Sequence, residues 1–132
     1  MLAVLRSLYS DIVVTTRVMQ EFGEKLPAWI SVSDPATAGY LEMLALNLDA
    51  GEASAIALAL ENPGSLLIID ERKGRAVARQ QGLQLIGTLG ILVAAKERGI
   101  ITAIRPILDI LERNGFRVST ALRNGILKRL GE

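Results

Sequence analysis

Neither cysteine nor histidine occurs among the 132 residues. Zinc fingers, thiolate nucleophiles, Ser-His-Asp triads and imidazole acid–base catalysis each need one or the other, so all are excluded together. Aromatic residues are nearly as scarce: Tyr9, Phe22, Trp29, Tyr40 and Phe116 are too few for a base-stacking platform. No apolar run approaches the roughly 18 residues of a membrane helix, and in the opening "MLAVLR" the charge of Arg6 arrives too early for a signal-peptide core. A soluble, cytoplasmic chain is the expectation. The glycines of "GTLG" do not make a GxGxxG fingerprint, and no Gly-Lys-Ser/Thr occurs, so dinucleotide and P-loop sites are unsupported.

What is present is apolar residues, carboxylates and cations. Half the chain is hydrophobic and the mean hydropathy is +0.34, enough for one globular domain over residues 1–132 with a sizeable core. Clustered carboxylates without His or Cys suit hard, oxygen-loving cations such as Mg2+ or Mn2+. The charges are divided along the chain: residues 1–71 hold 3 basic and 10 acidic residues, a net of −7, and residues 72–132 hold 12 basic and 4 acidic, a net of +8. That division suits a metal site beside a phosphate-binding surface, or simply two solvated faces of opposite charge.

Periodicity gives a repeated strand-to-helix order. Ile12 to Val14 is a β-branched run that passes at Thr15 or Thr16 into helical spacing with Val18, Met19 and Phe22 apolar. "WISV" is a short strand, and "DPATAGYLEMLAL" predicts a helix with Asp34 as N-cap and Pro35 at the first helical position. "LDAGEASAIALALENPG" is an alanine-rich buried helix ended by Asn62-Pro63-Gly64. "LLIID" has the continuous apolarity of a parallel strand covered on both faces, and helical spacing resumes over 71–81. "LQLIG" is a further strand, followed by a helix capped by Thr88. Two more helices carry Ile104, Ile107, Leu108 and Leu111, and, from Ser119, Leu122, Ile126 and Leu130. Strands alternating with helices predict an α/β fold with a mostly parallel sheet, whose ligands bind beyond the carboxyl ends of the strands.

Three acidic residues fall where such a cleft would form. Asp70 ends the most apolar strand, although an aspartate there also serves as N-cap of the helix that follows. Glu52 opens the alanine-rich helix on the face of Ile56, although Asp49-x-x-Glu52 also has the spacing of a capping box. Glu21 borders the stripe of Val18 and Phe22. Behind Asp70 come Arg72, Lys73, Arg75 and Arg79, with the three arginines on adjoining turns of one helix face. They form either a track for a phosphodiester backbone or a solvated face.

The stretch "LDAGEASAIALALENPGSLLIIDERKGRAVARQQGLQLIGTLGILVAAKERGII" resembles the core of the PIN-domain-like family, relatives of the toxin ribonucleases. The motifs are the Gly-Glu-Ala helix start, the apolar strand ending in Asp-Glu, the Lys-Gly-Arg after it, and the Gly-Thr-Leu-Gly turn with its Ala-Lys-Glu. "VVTTRVMQEF", Pro27 to Ile30 and "GFRVSTALRNGILKRLGE" extend the resemblance over nearly the whole chain.

It implies a three-layer α/β/α sandwich and Mg2+- or Mn2+-dependent ribonuclease activity, often as the toxin of a pair whose antitoxin protein is its partner. By the same resemblance Glu21, Glu52 and Asp70 are the catalytic, metal-binding acids and Glu71 an auxiliary ligand. Thr88 lies beside the site, where it orients water or phosphate or caps a helix. The family normally opens with a strand carrying Asp-Thr or Asp-Ser, and no such strand precedes "MLAVLRSLY" here. The expectations from that departure are an incomplete metal site, little or no nuclease activity, and association with another copy of the chain or poor stability as a monomer. The competing reading is a non-catalytic nucleic-acid- or protein-binding module on the same fold.

Overall fold

The computed structural model describes residues 2–132. In chain order the elements are α1 (Leu2–Leu8), β1 (Ile12–Val14), α2 (Thr16–Phe22), β2 (Ile30–Val32), α3 (Ala38–Ala45), α4 (Ala50–Glu61), β3 (Leu66–Ile68), α5 (Arg72–Gln80), β4 (Gln84–Ile86), α6 (Thr88–Glu97), α7 (Arg105–Arg113) and α8 (Thr120–Arg129). This is a mixed α/β architecture with short parallel strands, in keeping with the α/β/α sandwich that the resemblance implies. None of the described helices is long and apolar enough to cross a membrane. The elements group into two compact units, one of residues 9–88 and one made of the segment ending at Leu8 together with residues 89–132.

In the unit of residues 9–88, β1 pairs in parallel with β2 and β3 with β4, as two separate two-stranded sheets. The sequence pattern suggested one sheet. Helix α4 packs its small face close: Ala53, Ile56 and Ala57 are wholly buried and share a core with Leu44, Leu48, Leu67, Ile69 and Ala78. Burying a side chain the size of Ile56 is worth about 1.5–3 kcal/mol. Strand β3 is covered on one face only: Leu67 is buried while Leu66 and Ile68 remain 42% and 40% exposed, which corrects the two-sided burial that its apolar run suggested. The run is apolar on both faces, yet α4 packs against only one of them.

Each strand pair is prolonged by a side-chain rung two residues past its last backbone pair. In the first pair the register Val14↔Val32 leads on to Thr16 and Asp34, and the Asp34 carboxylate accepts from Thr16 N at 2.8 Å and from Thr16 Oγ1 at 2.6 Å. In the second, Ile68↔Ile86 leads on to Asp70 and Thr88, and Asp70 accepts from Thr88 N at 2.8 Å and from Thr88 Oγ1 at 2.5 Å. Both rungs satisfy an amide that the first turn of a helix would otherwise leave unpaired.

Two capping expectations are thereby corrected. Asp34 serves α2, not α3, whose N-cap is Thr37. The Glu61 carboxylate instead accepts from Ala36 N and Thr37 N just ahead of α3. Thr88 is the first residue of α6, and the acceptor for its amide is Asp70.

In the other unit, Leu92, Ile104, Leu108 and Leu127 form the buried centre, with Ile107, Leu111, Ile126 and Leu130 packed around it, as the spacing of α7 and α8 predicts except at Leu122, which stays 49% exposed. Ser119 caps α8 by accepting from Leu122 N. Arg123 on α8 holds Asp109 at 2.7 Å and also pairs with Glu112, both on α7. The Glu132 carboxylate accepts from Ile104 N at 2.8 Å and from Arg105 N at 3.2 Å at the start of α7, and Lys96 stands 3.4 Å away. Those amide bonds, first that of Ile104, hold the Glu132 carboxyl below its ordinary value.

Candidate active site

Within the unit of residues 9–88, a cleft of about 300 Å³ opens at the carboxyl end of β3, lined by Glu21, Asp49, Glu52, Asp70 and Glu71 with Val18, Ile68 and Ile69. The structure thus brings together Glu21, Glu52, Asp70 and Glu71. Asp49 joins them, although the sequence suggested only a helix cap for it. That cap exists as well: the Asp49 carboxylate accepts from Glu52 N at 2.9 Å.

Each acid reaches the cleft by a local cause. Glu21 lies on the last turn of α2, which starts at the Thr15 N-cap, where the hydroxyl accepts from Val18 N, and ends at Gly23 with φ of +73°. Thr15, 1% exposed, also shares a 2.7 Å hydrogen bond with Ser54, whose hydroxyl donates to the Gly51 carbonyl at 2.8 Å. That buried chain fixes the start of α2 against the first turn of α4. Glu21 itself pairs with Arg17 at 3.3 Å, an exposed i,i+4 contact of little energy.

Glu52 is the group under electrostatic load. Its Oε1 is buried without a hydrogen-bond partner. Burial raises its carboxyl above the ordinary value, and the negative charges of Asp49 and Glu71 add to the effect. Asp70 is oriented by both bonds from Thr88, so it is not the cap of α5, whose N-cap position is Glu71 with no side-chain bond.

The basic residues divide. Arg75 is half-buried, and its Nη1 donates to the Ile69 carbonyl at 2.8 Å, so it braces the end of β3. Arg72, Lys73 and Arg79 lie exposed on α5, outside the lining of the cleft.

The donors fit a hard divalent cation in kind: they are all carboxylate oxygens, one of them buried and unpartnered. Among the described residues no three acidic side chains converge closely enough to ligate one ion together. The fit is therefore to an ion held through one or two carboxylates with water completing its shell, the ordinary habit of Mg2+.

The chain belongs to the DUF3368 family of PIN domains, whose family model matches residues 1–132. PIN domains share a nuclease-like fold and generally use divalent metals. No curated protein and no solved structure matches the chain.

Proposed function

We propose that this chain is a Mg2+- or Mn2+-dependent ribonuclease of the PIN type, acting on RNA phosphodiesters and suited to the toxin role in a pair with an antitoxin protein. The observation that carries the reading is the unpartnered Glu52 Oε1, buried in a cleft shared with four other carboxylates. An isolated buried carboxylate is costly unless something compensates it, and a cation in the cleft is the compensation this donor set fits.

Glu52 and Asp70 are the groups that would hold the ion, with Glu21 and Glu71 lining the same cleft. Thr88 orients the Asp70 carboxylate by donating to both of its oxygens. When bound, the ion supplies Lewis acidity to a phosphodiester and to the water that attacks it. Arg72, Lys73 and Arg79 offer exposed charge to neighbouring phosphates along the strand.

Calorimetric titration of Mn2+ into the parent and Glu52→Gln, beside an EDTA-controlled RNA cleavage assay, tests the reading. Binding that survives unchanged in Glu52→Gln removes Glu52 from the site and takes the reading with it. A second reading, a binding module without catalysis, is favoured by the commitment of both Asp70 oxygens to Thr88. It predicts RNA binding without cleavage at any Mn2+ concentration.

A further inference from the structure

Three glycines stand apart from the rest by what surrounds them. A Cβ built on Gly51 would meet Oε1 of Glu21 at 2.7 Å and its Cδ at 2.8 Å. On Gly74 it would meet Ile69 Cδ1 at 2.6 Å and the Glu52 Cδ at 3.4 Å, and on Gly87 it would meet Asp70 Oδ1 at 2.8 Å and Arg75 Nη1 at 3.0 Å. Two of the three acids assigned to the site, Glu21 and Asp70, therefore fill space that a glycine leaves open, whereas Gly74 makes room for Ile69 with Glu52 at ordinary contact distance. At the other eight glycines whose surroundings are described, nothing lies within 4 Å.

Backbone conformation does not explain the three. The glycines with positive φ are Gly23, Gly64, Gly82, Gly99, Gly115 and Gly131, none of which is among them. Gly51 and Gly74 sit inside α4 and α5, where glycine is unfavourable relative to alanine. What these positions use is the missing side chain.

We propose that Gly51 and Gly87 are positioning residues of the acidic cleft, each leaving the space into which Glu21 or Asp70 places its carboxylate, while Gly74 leaves room for Ile69 beneath Glu52. The inference rests on the reading of the cleft as a cation site. The three positions differ in what a methyl group would displace. At Gly51 it meets only the end of an exposed, flexible side chain, so Glu21 swings away and the fold survives. At Gly87 it meets Asp70, held by two bonds from Thr88, and Arg75, held to Ile69 O, so neither can give way cheaply. At Gly74 it meets the buried Ile69.

The test is Gly51→Ala compared with Gly39→Ala, which adds the same methyl group to a glycine of α3 with open space around it. Both variants should keep or raise Tm. Gly51→Ala should weaken Mn2+ binding by about tenfold, a shortfall typical of a displaced metal-site partner. Gly39→Ala should leave binding unchanged, and in a Glu21→Ala background Gly51→Ala should have no further effect. In the metal-free protein the Glu21 carboxyl carbon resonance should move in Gly51→Ala and not in Gly39→Ala. Parent-like Mn2+ affinity in Gly51→Ala, or an equal loss with and without Glu21, overturns the proposal. If the parent takes up no Mn2+, the metal reading fails instead, and an unmoved Glu21 resonance in Gly51→Ala then overturns the positioning role as well.

Discussion

The strand pair β1–β2 and the strand pair β3–β4 end in the same rung with its members exchanged. In the first the aspartate follows the second strand and serves the helix after the first; in the second the aspartate follows the first strand and serves the helix after the second. Partners stand 18 residues apart in both. Only Asp70 also lines the cleft with Glu52 and Glu71. Asp34 is simply a well-bonded carboxylate, held below its ordinary value by the Thr16 hydroxyl and then by the Thr16 amide. Identical capping chemistry thus serves structure in one place and contributes to a candidate site in the other, and the neighbours decide which.

The sharpest way to break this comparison is to treat both rungs alike. Asp70→Asn should abolish Mn2+ uptake and cut Mn2+-dependent RNA cleavage by on the order of 100-fold, the upper end of what loss of a metal-site partner costs. Asp34→Asn should leave both at the parent level. Equal losses would make the rungs equivalent and remove the cleft's claim.

A smaller effect is expected where the first pair is tied to α4. Thr15→Val and Ser54→Ala each strip one partner from a buried hydrogen bond, and each should cost about 1–3 kcal/mol in urea unfolding. The double variant should cost less than the two singles added, because both act on one bond.

Smaller again is the opposite response of Glu52 and Asp34 to pH. The folded-state value of Glu52 lies above its ordinary 4.5, so the unfolded chain ionises first and stability is lost as pH rises from there through the folded value. Glu52→Gln should therefore raise Tm at neutral pH, with the gain fading below about 4.5. Asp34 lies below its ordinary 3.8, so its contribution is present above that pH and is lost as pH falls through the folded value. Asp34→Asn should accordingly lower Tm at neutral pH. The same sign for both variants would contradict the contrast.

The smallest change concerns α5. Replacing Arg72, Lys73 and Arg79 with Gln should flatten the salt dependence of RNA binding by a little under one log unit per lost phosphate contact. Arg75→Gln, which instead frees the Ile69 carbonyl, should lower Tm and leave that slope alone.

Local chemistry in the sequence announced much of this fold. The β-branched Ile12 to Val14 run, the Asp49 and Ser119 caps and the spacing through Ile104, Leu108 and Leu111 all lie within a single element and reappear as expected. That Glu21, Glu52 and Asp70 would line one cleft was legible too, because each borders an apolar stripe or ends an apolar strand. What escaped was long-range. The recipient of Asp34 lies 18 residues back, and the Glu61 carboxylate reaches 25 residues back to Ala36, distances that no window of helical spacing covers. The role of Gly51 also escaped, although a glycine in an otherwise alanine-rich helix is a visible anomaly once the cost of about 0.5–1 kcal/mol relative to alanine is weighed.

The chain's two compact units also differ in continuity: residues 9–88 form one uninterrupted stretch, whereas the segment ending at Leu8 belongs with residues 89–132. Arg98 donates to the Leu8 carbonyl across 90 residues. On a ribosome adding roughly 5–20 residues per second, α1 emerges on the order of 4–16 s before the chain it belongs with. The acidic cleft can be assembled while translation is still under way. The other unit must await residues 89–132, and its first helix spends those seconds as an amphipathic segment without its core, the interval in which a chaperone or a neighbouring nascent chain has its opening.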